Sequence, residues 1–180
     1  MFATVPSADA DLRATGFRCA SAAAEKLGAV ALASRWPRAG LFALLSDGVG
    51  CVSLTHSKSL AAAVASRDPV GIDAEAIDRP ADVVRRILAP GERDALFAAA
   101  ALAGFPPALA AWCAKEAVGK ALGSGLTHSQ RWTLKPIESA LWAADTPLPL
   151  AVRLLRHGPT LVAVAFLREK STQTVEILVL

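Results

Sequence analysis

Trp112-Cys-Ala-Lys-Glu-Ala-Val-Gly-Lys-Ala-Leu-Gly-Ser-Gly-Leu126 predicts an α-helix that stops at Gly123 and Gly125, where the chain needs left-handed and loop conformations that a Cβ opposes. Glu116 and Lys120 are four residues apart, so they stand on one face a turn apart, while Trp112, Ala117 and Ala121 cover another. Taken alone, such a pair is an ordinary solvated ion pair worth ~0.3–0.5 kcal/mol. Gly119 lies inside the same helix, at an intrinsic cost of ~1 kcal/mol relative to alanine.

A second stretch, Pro69-Val-Gly-Ile-Asp-Ala-Glu75, alternates as a strand does. Val70, Ile72 and Ala74 then face a core, and Asp73 and Glu75 share the opposite face. Two carboxylates side by side on a sheet repel unless a cation lies between them, and a hard divalent metal is the simplest such cation. Mg²⁺ is usually held by one or two carboxylates with substrate phosphates and water. Asp73 and Glu75, joined by Glu116 from the helix, therefore make a candidate phosphate-handling site. The bland alternative is an edge strand with a solvated acidic face.

Together the two stretches resemble the 4'-phosphopantetheinyl transferase superfamily, which pairs a strand ending Gly-(Ile/Val)-Asp-x-Glu with a later Trp-x-x-Lys-Glu-x-x-x-Lys-x-x-Gly-x-Gly-Leu helix. Both halves are present in that order, with Glu116 lying 41 residues after Glu75. Upstream, Ser53-Leu-Thr-His-Ser57 is similar to the Ser-Leu-Ser-His-Ser segment of the surfactin-synthetase-activating type, Thr55 keeping the hydroxyl. The amino-terminal part is shorter than in that type, and no Gly-Lys-Pro segment precedes Ser53.

The resemblance implies a holo-acyl-carrier-protein synthase that transfers the 4'-phosphopantetheine group of coenzyme A to a serine of an acyl or peptidyl carrier protein with Mg²⁺. It implies Asp73, Glu75 and Glu116 as metal ligands, and His56, Thr55, Lys115 and Lys120 as contacts to coenzyme A. Glu116, Lys120 and Glu75 are the implied catalytic residues, the general base being open between the two glutamates. A second reading is a relative that keeps the fold and carboxylates but serves as a coenzyme A or carrier-protein binding module.

Composition bounds the rest. The 180 residues have room for one ordinary domain or two small halves. The apolar fraction of 53% is inflated by alanine, and the net charge of +3 suits an anionic ligand or acidic partner but is no nucleic-acid signature. Cys19, Cys51 and Cys113 are widely spaced with no Cys-x-x-Cys, so neither a disulfide framework nor a zinc site is indicated. Asp9 and Asp11 come early and no basic region precedes an apolar run, so a cytoplasmic protein is expected. The uncharged run from Ala95 to Ala114 is divided by Pro106-Pro107 and reads as two packed helices and a turn.

Residues 9–35 read as one interrupted helix, and Ser46-Asp47-Gly48 between apolar runs predicts a hairpin that delivers His56 to a strand end. Leu60–Ser66 is expected as a strand paired with residues 70–75, despite its alanine content. Helices follow at 81–88, from Pro90 to Leu102 and from Pro106. Strands are then expected at 131–134, 139–143, 148–155, 160–168 and 174–180. Strands, then helices, then strands make an α+β chain. The resemblance adds two pseudo-symmetric halves, residues 1–75 and 76–180, each a small antiparallel sheet packed against a long helix and together one monomeric unit. His128 and His157 read as solvated loop side chains, and Trp112 as core.

Overall fold

A computed structural model describes residues 2–6, 12–34, 41–58, 60–127, 129–170 and 177–179. The first part of the chain runs β1 (Phe2–Pro6), α1 (Leu12–Lys26), β2 (Ala29–Ser34), β3 (Leu41–Leu45), β4 (Gly48–Ser57) and β5 (Leu60–Ser66). The second runs β6 (Gly71–Ala76), a 3₁₀ turn (Asp82–Arg86), α2 (Arg93–Leu102), α3 (Pro107–Leu122), a short 3₁₀ turn (Ser129–Arg131), β7 (Thr133–Glu138), β8 (Leu141–Asp145), β9 (Leu150–His157) and β10 (Thr160–Leu167). β11 (Ile177–Val179) closes it.

Two sheets form, ordered β11-β1-β5-β4-β3-β2 and β6-β10-β9-β8-β7. All pairings are antiparallel except β1 with β11. The architecture is the expected α+β one, and the two sheets repeat one plan. In each, a first strand leads into helix, and four more strands fold back as a meander whose last member pairs with the first.

That plan moves one expected boundary. The strand bearing Asp73 and Glu75, assigned above to the half ending at residue 75, opens the second sheet instead, because β6 pairs with β10. For the same reason β5 does not pair with residues 70–75; its neighbours are β1 and β4. The one interrupted helix expected over residues 9–35 is also corrected. α1 ends at Lys26, Gly28 takes a φ of 85°, and Ala29–Ser34 pairs with β3 as a strand. Residues 7–11, Arg35, His128 and residues 174–176 lie outside the described residues.

Alanine in β5 has a packing reason. Both faces of this strand are covered: Leu60, Ala62 and Val64 join Val70, Ile72, Ala74, Val162 and Val164 in a core between the sheets, while Ala61, Ala63 and Ala65 lie against Cys19, Ala20 and Ala23 of α1. Methyl side chains let the helix lie close to the strand. A third and larger core packs α2 and α3 on the second sheet through Leu96, Leu109, Val118, Trp142 and Leu161. α2 and α3 meet at 108°, and no single helix among the described residues is long and apolar enough to cross a membrane.

Two close backbone approaches fix α3, one against β6 and one against the loop that follows the helix. A Cβ at Gly71 would lie 2.0 Å from the Ala117 carbonyl oxygen and 2.6 Å from the Ala121 nitrogen, so only glycine allows the helix backbone this close to the strand. A Cβ at Gly119 would lie 2.2 Å from the Gly125 carbonyl oxygen, and the N–H groups of Ser124 and Gly125 both donate to the Gly119 carbonyl at 3.0 Å. The helix accepts the propensity cost of Gly119 so that the chain after Gly123 can fold back over it.

Candidate active site

β4 docks on β6 through side chains. Ser53 and Thr55 alternate on one face of β4, and their hydroxyls accept hydrogen bonds from the N–H groups of Ile72 and Ala74, each at 3.1 Å. Thr55 Oγ1 also donates to Asp73 Oδ1 at 3.3 Å. This brings the end of β4, the face of β6 opposite the inter-sheet core and α3 together around an open cleft of about 360 Å³.

Six of the seven residues singled out in the sequence line that cleft: Thr55, His56, Asp73, Glu75, Glu116 and Lys120. Trp112 and Arg79 line it as well, so Trp112 stands at the margin of the core rather than inside it. His157 closes β9 and is not among the lining residues. Lys120 reaches across from α3 to Asp73 Oδ1 at 2.8 Å and to the Ile72 carbonyl at 2.9 Å. Its ion pair therefore ties helix to strand; among the described residues no ion pair joins it to Glu116. Glu75 is paired with Arg79, whose guanidinium sits 6.0 Å from the Trp112 ring centroid.

Each strand carboxylate thus has its own protein cation, Lys120 at Asp73 and Arg79 at Glu75. Among the described residues, no three acidic, imidazole or thiol groups converge closely enough to hold a metal unaided. Asp73 Oδ2 is nevertheless buried without a hydrogen-bond partner. Buried carboxylate oxygens are rarely left in that condition, and a hard cation is a partner that would satisfy it.

Lys115 departs from its expected role as a phosphate contact. It is fully buried and faces away from the cleft, because neighbouring residues point about 100° apart around a helix. Its ammonium lies 2.9 Å from Glu92 and donates to the carbonyls of Ser129 and Trp132 at 3.0 and 2.9 Å. Glu92 in turn accepts hydrogen bonds from the N–H groups of Ala89 and Leu134. Glu92 and Arg79 were not legible as functional from the sequence. The signal that pointed toward the β4 hydroxyls was present, since Ser53, Thr55 and Ser57 fall at strand spacing.

Glu116 is held above the ordinary carboxylate range, first by burial and then by the charge of Asp73, with Lys120 and Arg79 pulling the other way. Burial, with Asp73 second, also pushes the Cys113 thiol well up, leaving it an inert neutral group. For Glu116 the sign for stability follows directly. Between the unfolded and the raised folded pKa the folded protein holds the extra proton, so stability falls as pH rises through that window. Glu116→Gln should remove this slope. Thermal unfolding should find the variant more stable than wild type at neutral pH, and level with it once the pH drops below the ordinary carboxylate range. A variant less stable at neutral pH would mean that Glu116 is held as a partnered anion.

An α+β pair of sheets with a carboxylate-rich cleft at their junction is therefore what this chain builds. The family model of the 4'-phosphopantetheinyl transferase superfamily matches residues 69–162, and the chain belongs to that superfamily. The match takes in β6, α3 and β7 to β9 and ends within β10, and it does not include the Ser53–Ser57 segment. Comparison with curated proteins found no match for the chain.

Proposed function

We propose that the chain transfers the 4'-phosphopantetheine group of coenzyme A to a serine hydroxyl of an acyl or peptidyl carrier protein, with Mg²⁺ in the cleft. The observation that carries this reading is the Asp73–Lys120 pair bridging β6 and α3, with Asp73 Oδ2 unpartnered beside it. Asp73, Glu75 and Glu116 would hold the ion, completed by phosphate oxygens and water. When bound, Mg²⁺ neutralises charge on the pyrophosphate oxygens.

In the transfer, the serine oxygen bonds to the β-phosphorus as the bond from that phosphorus to the bridging oxygen breaks, releasing adenosine 3',5'-bisphosphate. The serine proton goes to a base. Glu116 and Glu75, directly or through water, are the candidates for that base. Lys120, beside Asp73 at the cleft, sets a positive charge against the phosphoryl oxygens. His56 is exposed at the end of β4, where it would meet a phosphate of coenzyme A.

An apo carrier protein incubated with the chain, coenzyme A and Mg²⁺ should gain the mass of phosphopantetheine, read by intact-protein mass spectrometry. Asp73→Ala should abolish that gain. A second reading, a coenzyme A or carrier-protein binding module, draws on the pairing of both strand carboxylates with protein cations. It predicts a carrier that stays apo while coenzyme A binds by calorimetry.

A further inference from the structure

Arg79 sits in the turn after β6, its N–H bonded to the Ala76 carbonyl at 2.9 Å. Its guanidinium is paired with Glu75 and lies over Trp112. It lines the cleft described above and also an adjoining cleft of about 480 Å³ that contains Ser57 and Lys58, so it stands on the divide between the two. The Arg79 side chain is 48% exposed and that of Glu75 only 13%, so the arginine is the solvent-facing partner of the pair.

The two strand carboxylates differ in what an arriving cation would meet. At Asp73, Lys120 holds Oδ1 and Oδ2 has no partner, so a divalent ion can engage Asp73 without displacing a protein cation. At Glu75 the ion must take the place of Arg79. The Trp112 face, one helical turn before Glu116, already borders the guanidinium at 6.0 Å in the paired state, and a cation–π contact there would keep it close after Glu75 is given up. The guanidinium then adds its charge to the side of the cleft where His56 and Lys58 stand.

We propose that Arg79 is a displaceable counter-ion: it holds Glu75 in the metal-free protein, yields that carboxylate to a divalent cation, and then binds the phosphate that arrives with the metal. This rests on the metal-site reading under Proposed function. Arginine suits both states, since its planar fork matches carboxylate and phosphate alike and it remains charged throughout.

Mn²⁺ binding to the substrate-free full chain, followed by electron paramagnetic resonance of the free ion, tests it with and without inorganic pyrophosphate. Arg79→Met should bind Mn²⁺ alone about two- to five-fold more tightly than wild type, the range of an exposed ion pair removed from competition. Arg79→Lys, which keeps the competing charge, should stay near wild type. With pyrophosphate present the order should reverse, Arg79→Met becoming the weaker binder. Equal or weaker binding of Mn²⁺ alone by Arg79→Met, or no reversal with pyrophosphate, overturns the proposal while leaving the metal reading standing. No Mn²⁺ binding by wild type or either variant overturns both.

Discussion

Lys115→Met is expected to lose about 3–5 kcal/mol of stability, a large part of what holds a domain of this size together. The ammonium and the Glu92 carboxylate are both 0% exposed, and the Lys115 ammonium lies 4.2 Å from the Trp132 ring centroid. Removing the lysine strands a buried carboxylate and takes a donor from the Ser129 and Trp132 carbonyls. Burial draws the Lys115 pKa down, and the Glu92 carboxylate opposes that shift. Urea unfolding measures the loss. A double variant, Lys115→Met with Glu92→Leu, should recover much of it, because apolar replacement of a whole buried pair is often neutral. A single-variant loss under roughly 1 kcal/mol, the range of a solvated pair, would show that the contact adds little.

That pair also marks where sequence reading ran out. Lys115 and Lys120 look alike in the stretch from 112 to 126, two lysines on one apolar helix. Their fates differ because Lys115 faces the start of α2 and the turn at residues 129–132 while Lys120 faces β6, and only the partners across the fold tell these faces apart. Glu92 lies 23 residues before Lys115, with nothing local to mark it. The alternation of β6 was legible, since Ile72 and Ala74 do enter the inter-sheet core while Asp73 and Glu75 take the other face. Its partner strand was not: pairing to β10 closes over a long stretch of chain, and no periodicity records such a choice. The misread over 29–34 has another cause. Alanine runs are compatible with a helix and with a strand packed under one, so only the positive φ at Gly28 and the pairing with β3 decide.

The same helix carries the sharpest test of catalysis. Lys120→Met should lower turnover roughly 100- to 1,000-fold, about 2.7–4 kcal/mol of transition-state stabilisation, by analogy with the loss of one preorganised oxyanion donor. An intrahelical ion pair on a solvated face would cost only ~0.3–0.5 kcal/mol of stability and leave transfer intact. The geometry argues against that modest role, because the ammonium crosses from α3 to Asp73 Oδ1 and to the Ile72 carbonyl, on the side of β6 where Gly71 lets the helix come close. Losing it takes a charged donor from Asp73 Oδ1 and leaves the weaker Thr55 hydroxyl contact at 3.3 Å. Some stability should therefore go too, and the two effects must be separated. Lys120→Arg supplies the separation: it keeps a charge beside Asp73, so folding should hold, while the bulkier fork no longer sets its charge at the same point and turnover should still fall. Rates are read at saturating coenzyme A and carrier protein, where a loss of ground-state binding alone would disappear. A Lys120→Met enzyme within a few-fold of wild type under those conditions would falsify the catalytic role and leave Lys120 as the counter-ion that ties α3 to β6.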